Sequence, residues 1–453
     1  MKRTIVMICV GLMLMPGCNL YKKYEKDPSL ENGVISNLSP LTSNLPTDTL
    51  SLGELNWRSL FTDPLLQDLI SKAWANNTDM RTAQLTIEQA QNSVMSAKWG
   101  YAPTFSFTPS VTYDYQGNAH SYNVQLPVRA SWQLGIFGQT RSKIRSAKAQ
   151  LAYDEDYRQA VQVDLAANVA NYYYNLVMLD RQLQISEETE QLYEESYNAT
   201  VALYHAGIYK SPAVHEMQAS LEALRADIVD LRYSIATNEA SLCLLLSEAP
   251  HHIERSSFEA MSLPELSTFN LQLSTLSSRP DVRMAERNVE IAYYGKQQAL
   301  QSFYPSISID GMIAYAGSFN ALGLLAEAVG SLAQPIFQGG QLVANLRNAK
   351  ADQEKANLAF AYALYKAGSE VHNYKKACEA AGEKAGHIDI QVNALQEAYS
   401  ATTALMNHGS TTYLEVLTAQ ESLLSAELSQ VENRYEMIQA LINLYTALGG
   451  FGE

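Results

Sequence analysis

From Gln139 to Ala206 the chain runs 68 residues without a glycine or proline, and inside that run apolar residues recur at alternating spacings of four and three: Leu165, Val169, Tyr172, Leu176, Leu179 and Leu183. Heptad-like spacing places these side chains on one stripe of a helix, the seam along which long helices pack. At roughly 1.5 Å per residue the run predicts a helix about 100 Å long, several times the globular average of roughly 12 residues. His205-Ala206-Gly207-Ile208 reverses the chain. Ser211 then offers an N-cap and Pro212 a first-turn residue, so a return helix is predicted to run to about Leu246, with Pro250 closing it.

Upstream the period changes. A helix is predicted from about Pro64 to Trp99, ended by Tyr101-Ala102-Pro103, after which Phe105, Phe107, Val111, Tyr113 and Tyr115 alternate with Thr, Ser and Asp. Beyond Gln116-Gly117-Asn118 the alternation resumes at Val124, Leu126, Val128, Ala130 and Trp132. Period-two patterning on both sides of a Gly-containing turn predicts a β-hairpin over 104–134. Strands of about 10 to 13 residues cross a bilayer when tilted, and Tyr and Trp sit near the ends, where interfacial residues belong.

All of this occurs twice. Asp79 to Leu246 returns as Asp281 to Leu448, displaced by 202 residues, and between Glu194–Gly207 and Gln396–Gly409 seven of fourteen pairs are identical. So long a period means two copies of a whole subdomain, not a solenoid unit. The second copy predicts a hairpin over 305–337, a turn at His408-Gly409-Ser410-Thr411, and a long helical hairpin over 341–449 matching 139–247 in the first. Its seam is smaller (Ala367, Val371, Tyr374, Cys378, Ala381, Ala385), with Gly382 and Gly386 expected to let backbones approach closely. The predicted organisation is therefore a signal over 1–17, a tether over 18–60, a first repeat over 61–250, an irregular bridge over 251–278 and a second repeat over 279–453.

The amino end adds a location. Lys2-Arg3, an apolar run from Ile5 to Met15, and Pro16-Gly17-Cys18 read as a secretory signal, too short to span a membrane and ending in the Gly-Cys pair of bacterial lipoprotein processing. Cys18 is thus the expected first mature residue and lipid anchor. Cys9 leaves with the signal, so Cys243 and Cys378 remain, both inside helical patterns and outside any metal spacing, as small buried residues. Residues 1–17 hold two of the 32 basic residues and no acid, leaving 30 basic against 47 acidic in the mature chain, which argues against nucleic acid. His251, His252 and Glu254 match no metal motif, no phosphate loop or nucleophile elbow appears, and neither cofactor nor metal is expected.

Four spanning strands cannot stand alone in a bilayer, because edge N–H and C=O groups unpaired in lipid cost several kcal/mol each. Identical neighbours must supply the rest. Two copies give about eight strands and a filled interior; three give about twelve and a lumen, and three is the expectation.

The signal, the duplicated hairpins, Trp132-Gln133-Leu134-Gly135-Ile136-Phe137-Gly138, Gln334-Pro335-Ile336-Phe337-Gln338-Gly339-Gly340 and Tyr413-Leu414-Glu415-Val416-Leu417-Thr418-Ala419-Gln420 resemble the outer-membrane efflux protein (TolC) family, closest to its lipid-anchored NodT-type branch. One departure is Gly135, where that family often has Asp after the Trp. The resemblance implies a mainly α fold with a membrane β-barrel: a homotrimer with a 12-stranded outer-membrane barrel, four strands per chain, continued by a 12-helix periplasmic α-barrel. It further implies a passive exit duct in a tripartite efflux pump, partnered by a periplasmic adaptor and an inner-membrane transporter of RND or other type. A duct for type I protein secretion is the alternative on the same fold, and a poreless periplasmic coiled-coil scaffold is disfavoured by the hairpins.

By motif alignment Glu415 takes the place of an acid lining the periplasmic aperture, Thr418 stands where a second acid can occur, and Ala213 is the first-copy equivalent of Glu415. Two readings fit Glu415: a three-carboxylate gate ring in the trimer, or a solvated acid at a helix start. Gly207, Ile208 and Ser211, with Gly409, Ser410 and Thr411, would form the tips that meet the adaptor, although chain reversal alone needs the same glycines.

Overall fold

The structure, a computed structural model, describes residues 22–26, 28, 33, 57–117, 119–261, 273–318, 321–408 and 410–450. Cys18 and Gly409 lie outside them. The elements run α1 (Trp57–Leu60), α2 (Pro64–Asn76), α3 (Thr78–Trp99), β1 (Thr104–Phe107), β2 (Ser110–Gln116), β3 (Ala119–Leu134), α4 (Gln139–His205) and α5 (Ser211–Leu245), then α6 (Pro280–Gln301), β4 (Ser306–Ser318), β5 (Ala321–Ala333), α7 (Gln341–Asn407) and α8 (Tyr413–Ala447). The two longest helices have 67 residues each and their return helices 35 each. Among the described residues no helix is long and apolar enough to cross a membrane.

Where the structure departs from the sequence expectations, the causes are local. The predicted helix over 64–99 is two helices, because Asn77 caps α3: its Oδ1 accepts from Asp79 N at 2.8 Å and Met80 N at 3.3 Å. Capping by Asn competes with helix continuation. The first predicted strand is likewise two, β1 and β2, separated by Thr108 and Pro109, since proline has no N–H for the ladder. The last strand ends at Ala333 rather than reaching 337, just before Gln334-Pro335. Lys210, not Ser211, is the N-cap of α5, and it makes no side-chain cap bond. The bridge is not wholly irregular; it carries 3-10 turns at Phe258–Ala260 and Leu273–Ser278. Among the described residues a Cβ built at Gly382 or Gly386 would meet nothing within 4 Å, so the expected close backbone approach does not occur among them.

Compact units do not follow the two copies; each unit draws on both. One holds residues 1–32, 84–157 and 283–363, and with them all the strands. The strands form one antiparallel sheet ordered β1–β3–β4–β5, with β2 also on β3. Directly paired residues share a face. Phe105 opposes Ala130, and Val128 opposes Ile313, which opposes Ala326, whereas Thr104 opposes Ser131, which opposes Asp310. One face is therefore apolar and the other polar. On the polar face Asp310 accepts from Ser131 Oγ at 2.6 Å and Ser308 Oγ at 2.9 Å. On the apolar face the rings of Tyr113 and Tyr122 lie 5.0 Å apart across a paired rung. Among the described residues neither β5 nor the β1–β2 edge has a partner on its outer side.

The same unit seats residues 22–26 against its helices. Lys26 Nζ pairs with Glu286 at 3.0 Å, Tyr24 N donates to Tyr294 Oη at 3.2 Å, and Arg145 Nη1 donates to the Lys22 carbonyl at 3.1 Å. Buried Asp156 is held by Arg283 at 3.0 Å and Arg287 at 3.3 Å. Gly135 has a steric reason: a Cβ there would come within 2.5 Å of Thr140 Oγ1, so a glycine goes with the seating of Thr140 at the start of α4.

The second unit, residues 33–83, 158–282 and 364–453, packs the remaining helices along the seams. Leu176 and Val169 are fully buried, as is Ala367, with Val371 and Cys378 nearly so. Burial raises the Cys378 thiol to about 11, as expected of an inert core cysteine. Two hydrogen bonds latch the ends of the return helices. Asn77 Nδ2 donates to Leu245 O at 2.9 Å, and 202 residues on Arg279 Nη1 donates to Ala447 O at 2.8 Å. The bridge is tied down by Arg255, which holds Asp180 and Glu239, and by Tyr173, whose Oη donates to Asp63 and accepts from Ser256 N at 2.9 Å. Burial, reinforced by Asp63, pushes the Tyr173 hydroxyl up to about 12.

Candidate functional site: the helical tips

Each long helix reverses through a closed turn. Gly207 takes φ +74°, a left-handed conformation that costs a glycine nothing. Its N–H donates to Tyr204 O at 2.9 Å and Ile208 N–H to Leu203 O at 2.9 Å, so the last carbonyls of α4 are satisfied without a following residue. In the other tip Ser410 N–H donates to Leu405 O at 2.9 Å, the equivalent bond 202 residues later. Ile208, 65% exposed, projects an apolar side chain from the first tip, and Ser211 and Ser410 are also exposed.

Glu415 lies in the first turn of α8, exposed, with its carboxylate contacted by the Thr411 hydroxyl and its N–H donating to Thr412 O at 3.2 Å. Among the described residues no cation pairs with it. Thr418, one turn on, is exposed, but its Oγ1 donates to Leu414 O at 2.8 Å within its own helix. Glu415 and Thr418 thus share an exposed stretch of one helix, their polar atoms bonded to Thr411 and Leu414, while Ala213, the first-copy equivalent of Glu415, is buried.

Periodicity did not reveal what joins the two tips. The Tyr413 hydroxyl donates to Glu216 on α5, and its ring lies 5.4 Å from that of Tyr209 at the end of the first turn. Burial and then the Glu216 carboxylate push the Tyr413 hydroxyl up to about 12, so it stays a donor throughout the physiological range. One turn further along α5, Ser220 Oγ donates to Glu421 at 3.0 Å. Behind this clasp Tyr193, Met217, Leu221, Leu224, Ile228 and Leu417 form a buried cluster shared by both hairpins. A tyrosine 197 residues from its glutamate carries no local signature; only the tyrosines' places beside the two turns hinted at it.

Elsewhere, Cys243 Sγ lies 3.4 Å from His251 Nδ1 and His252 Nδ1 lies 2.8 Å from Glu239. Among the described residues no group of three or more His, Cys, Asp or Glu is placed to hold a metal ion.

An antiparallel sheet with one apolar and one polar face, attached to paired helices of this length, defines a membrane conduit rather than an enzyme. The chain belongs to the outer membrane efflux protein family, whose profile matches residues 69–248 and 272–450. It is similar to the cation efflux system protein CusC of Escherichia coli, 28% identical over 455 residues covering 98% of each chain. It is also similar to the toluene efflux pump outer membrane protein TtgC of Pseudomonas putida, 27% identical over 470 residues covering 99% of this chain and 96% of that one. In structure it matches the open-state MtrE outer membrane channel of Neisseria gonorrhoeae with a TM-score of 0.79 at 25% identity, over 89% of this chain and 93% of that one. It is accordingly an outer-membrane protein of efflux, a duct and not a catalyst.

Proposed function

We propose that three copies close their sheets edge to edge into a 12-stranded barrel in the outer membrane, continued by a 12-helix periplasmic tunnel, and that this trimer is the passive exit duct of a tripartite pump. The observation that carries the reading is the sheet: four spans, one apolar face and two open edges. In lipid those edges need partners, and only closure removes them. Twelve strands leave a lumen where about eight would be filled by side chains. The polar face, with Ser131, Ser308 and Asp310, would line it. A periplasmic adaptor and an inner-membrane transporter, RND-type or other, complete the pump, with the adaptor meeting the tips at Gly207, Ile208 and Ser211 and at Gly409, Ser410 and Thr411. The cation and toluene relatives favour small cargo over polypeptides, and their equal similarity leaves selection to the transporter.

At the tips Glu415, with Thr418 one turn away, is the gate group, giving a ring of three carboxylates in the trimer. Its exposure and freedom from cation pairs among the described residues suit that role. Glu415→Ala should raise single-channel conductance or weaken block by divalent cations in planar bilayers; unchanged currents would count against it. Crosslinkers placed at Ile208 and Ser410 should capture an adaptor, and failure at both tips would remove the docking assignment.

Cys18 is the lipid anchor. Lys22, four residues on, is seated against the strand-bearing unit, so four residues of chain, at most about 14 Å, separate it from the acylated cysteine. Two or more chains on one cysteine anchor firmly where one does so marginally. Mass spectrometry of the mature amino-terminal peptide should find an acylated Cys18, and an unmodified cysteine or a start elsewhere would refute this.

A further inference from the structure

Just inside the tips, between the two helical hairpins, lies a cleft of about 220 Å³. Met217 and Tyr209 line it from the first hairpin and Met406 and Tyr413 from the second, and the walls are mainly apolar. Gln420 lines it too, 4% exposed, and its Nε2 has no hydrogen-bond partner among the described residues. A buried amide donor left unpaired costs roughly 1–3 kcal/mol, which an incoming acceptor recovers. Neighbouring polar groups are committed: Thr200 Oγ1 donates to Ser196 O at 2.8 Å and the Tyr413 hydroxyl to Glu216. Two flexible thioethers beside two phenol rings suit a flat apolar body, and one orphaned donor in an apolar cleft is the arrangement that orients a small ligand.

We propose that this cleft binds a small neutral molecule with an aromatic or aliphatic body and one hydrogen-bond acceptor, which accepts from Gln420 Nε2. A 150 Å³ apolar cavity takes benzene, so 220 Å³ sets the body at about nine heavy atoms. The exposed carboxylate of Glu195 at the lining disfavours anions. A bound molecule touches both hairpins, but its binding does not depend on the duct or gate readings and is measured apart from conduction.

The test uses the full chain in detergent, labelled at the methionine methyls, titrated with acetophenone and with α-methylstyrene, which has the same skeleton with CH2 in place of the carbonyl oxygen. Acetophenone should shift the Met217 and Met406 methyl resonances saturably and bind roughly fivefold tighter than α-methylstyrene, the worth of one neutral hydrogen bond. In Gln420→Leu that ratio should fall to about one, and Met406→Trp, filling the cleft from its half-buried wall, should abolish the Met217 shift with both probes. Absence of saturable shifts, equal affinity for the two probes in the unaltered protein, or persistence of the Met217 shift in Met406→Trp would each overturn the site. Should Gln420→Leu not fold, the probe pair and Met406→Trp decide the matter.

Discussion

The two copies within this chain solve one packing problem with different chemistry. In the first, neutral Asn77 reaches the last carbonyl of α5; in the second, Arg279 at the equivalent place reaches the last carbonyl of α8 and also pairs with Asp281 at 2.8 Å and Glu370 at 2.6 Å. The position therefore demands a donor long enough to reach a helix end, and the charge is an addition that then needs carboxylates around it. The seams differ in the same way: fully buried Leu176 in the first copy corresponds to Cys378 in the second, so one copy packs by bulk and the other by small residues. At the tips, buried Ala213 corresponds to exposed Glu415, so only the second copy carries an exposed acid at this place.

That contrast is sharpest at the seams. Leu176→Ala should cost about 4 kcal/mol, because a fully buried leucine leaves a cavity, while Cys378→Ala should cost about 1, measured as the loss of thermal resistance in detergent. Equal losses would mean that the two seams do not differ in packing. At the latches, Arg279→Ala should cost about 2 kcal/mol, since it loses the helix-end bond and the pairs with Asp281 and Glu370, the latter keeping Lys366 at 3.7 Å, against about 1 for Asn77→Ala, which loses a cap and one hydrogen bond.

Acid separates the latches without mutation. Burial alone would raise the Asp281 carboxyl, but hydrogen bonds and charge from Arg279 outweigh it and hold it below the ordinary carboxylate range. A depressed folded pKa means that its stabilisation is present above the unfolded value of about 3.9 and is lost as pH falls through the folded value. Amide exchange near Ala447 should therefore accelerate in that acidic window while exchange near Leu245, latched by neutral Asn77, changes little. Smallest of all, Tyr413→Phe should loosen the tip clasp by about 1 kcal/mol or less, seen as faster exchange in the turns with no change in overall melting.

Much of this architecture was written in periodicity. The Gly- and Pro-free run over 139–206 marks α4 to within a residue, and the alternation from Phe105 to Trp132 marks the first hairpin, because long amphipathic segments state their burial repeatedly. Single-residue punctuation was harder to read. Asn77 lies in a stretch that suits a helix, and its role as a cap becomes clear only with Leu245 opposite its amide. Pro109 splits a strand whose alternation continues on both sides. The Tyr413–Glu216 clasp and the Gln420 cleft join residues of different helices, and no window along the chain contains both partners. Glu415 and Thr418 are singled out by motif alone; the structure adds their exposure and the Thr411 contact.

The account rests on a sheet that one chain begins and others must finish. Native mass spectrometry of the detergent-extracted, membrane-derived protein tests this directly. Particles of three chains are predicted, and a stable population of single chains or of pairs would contradict it.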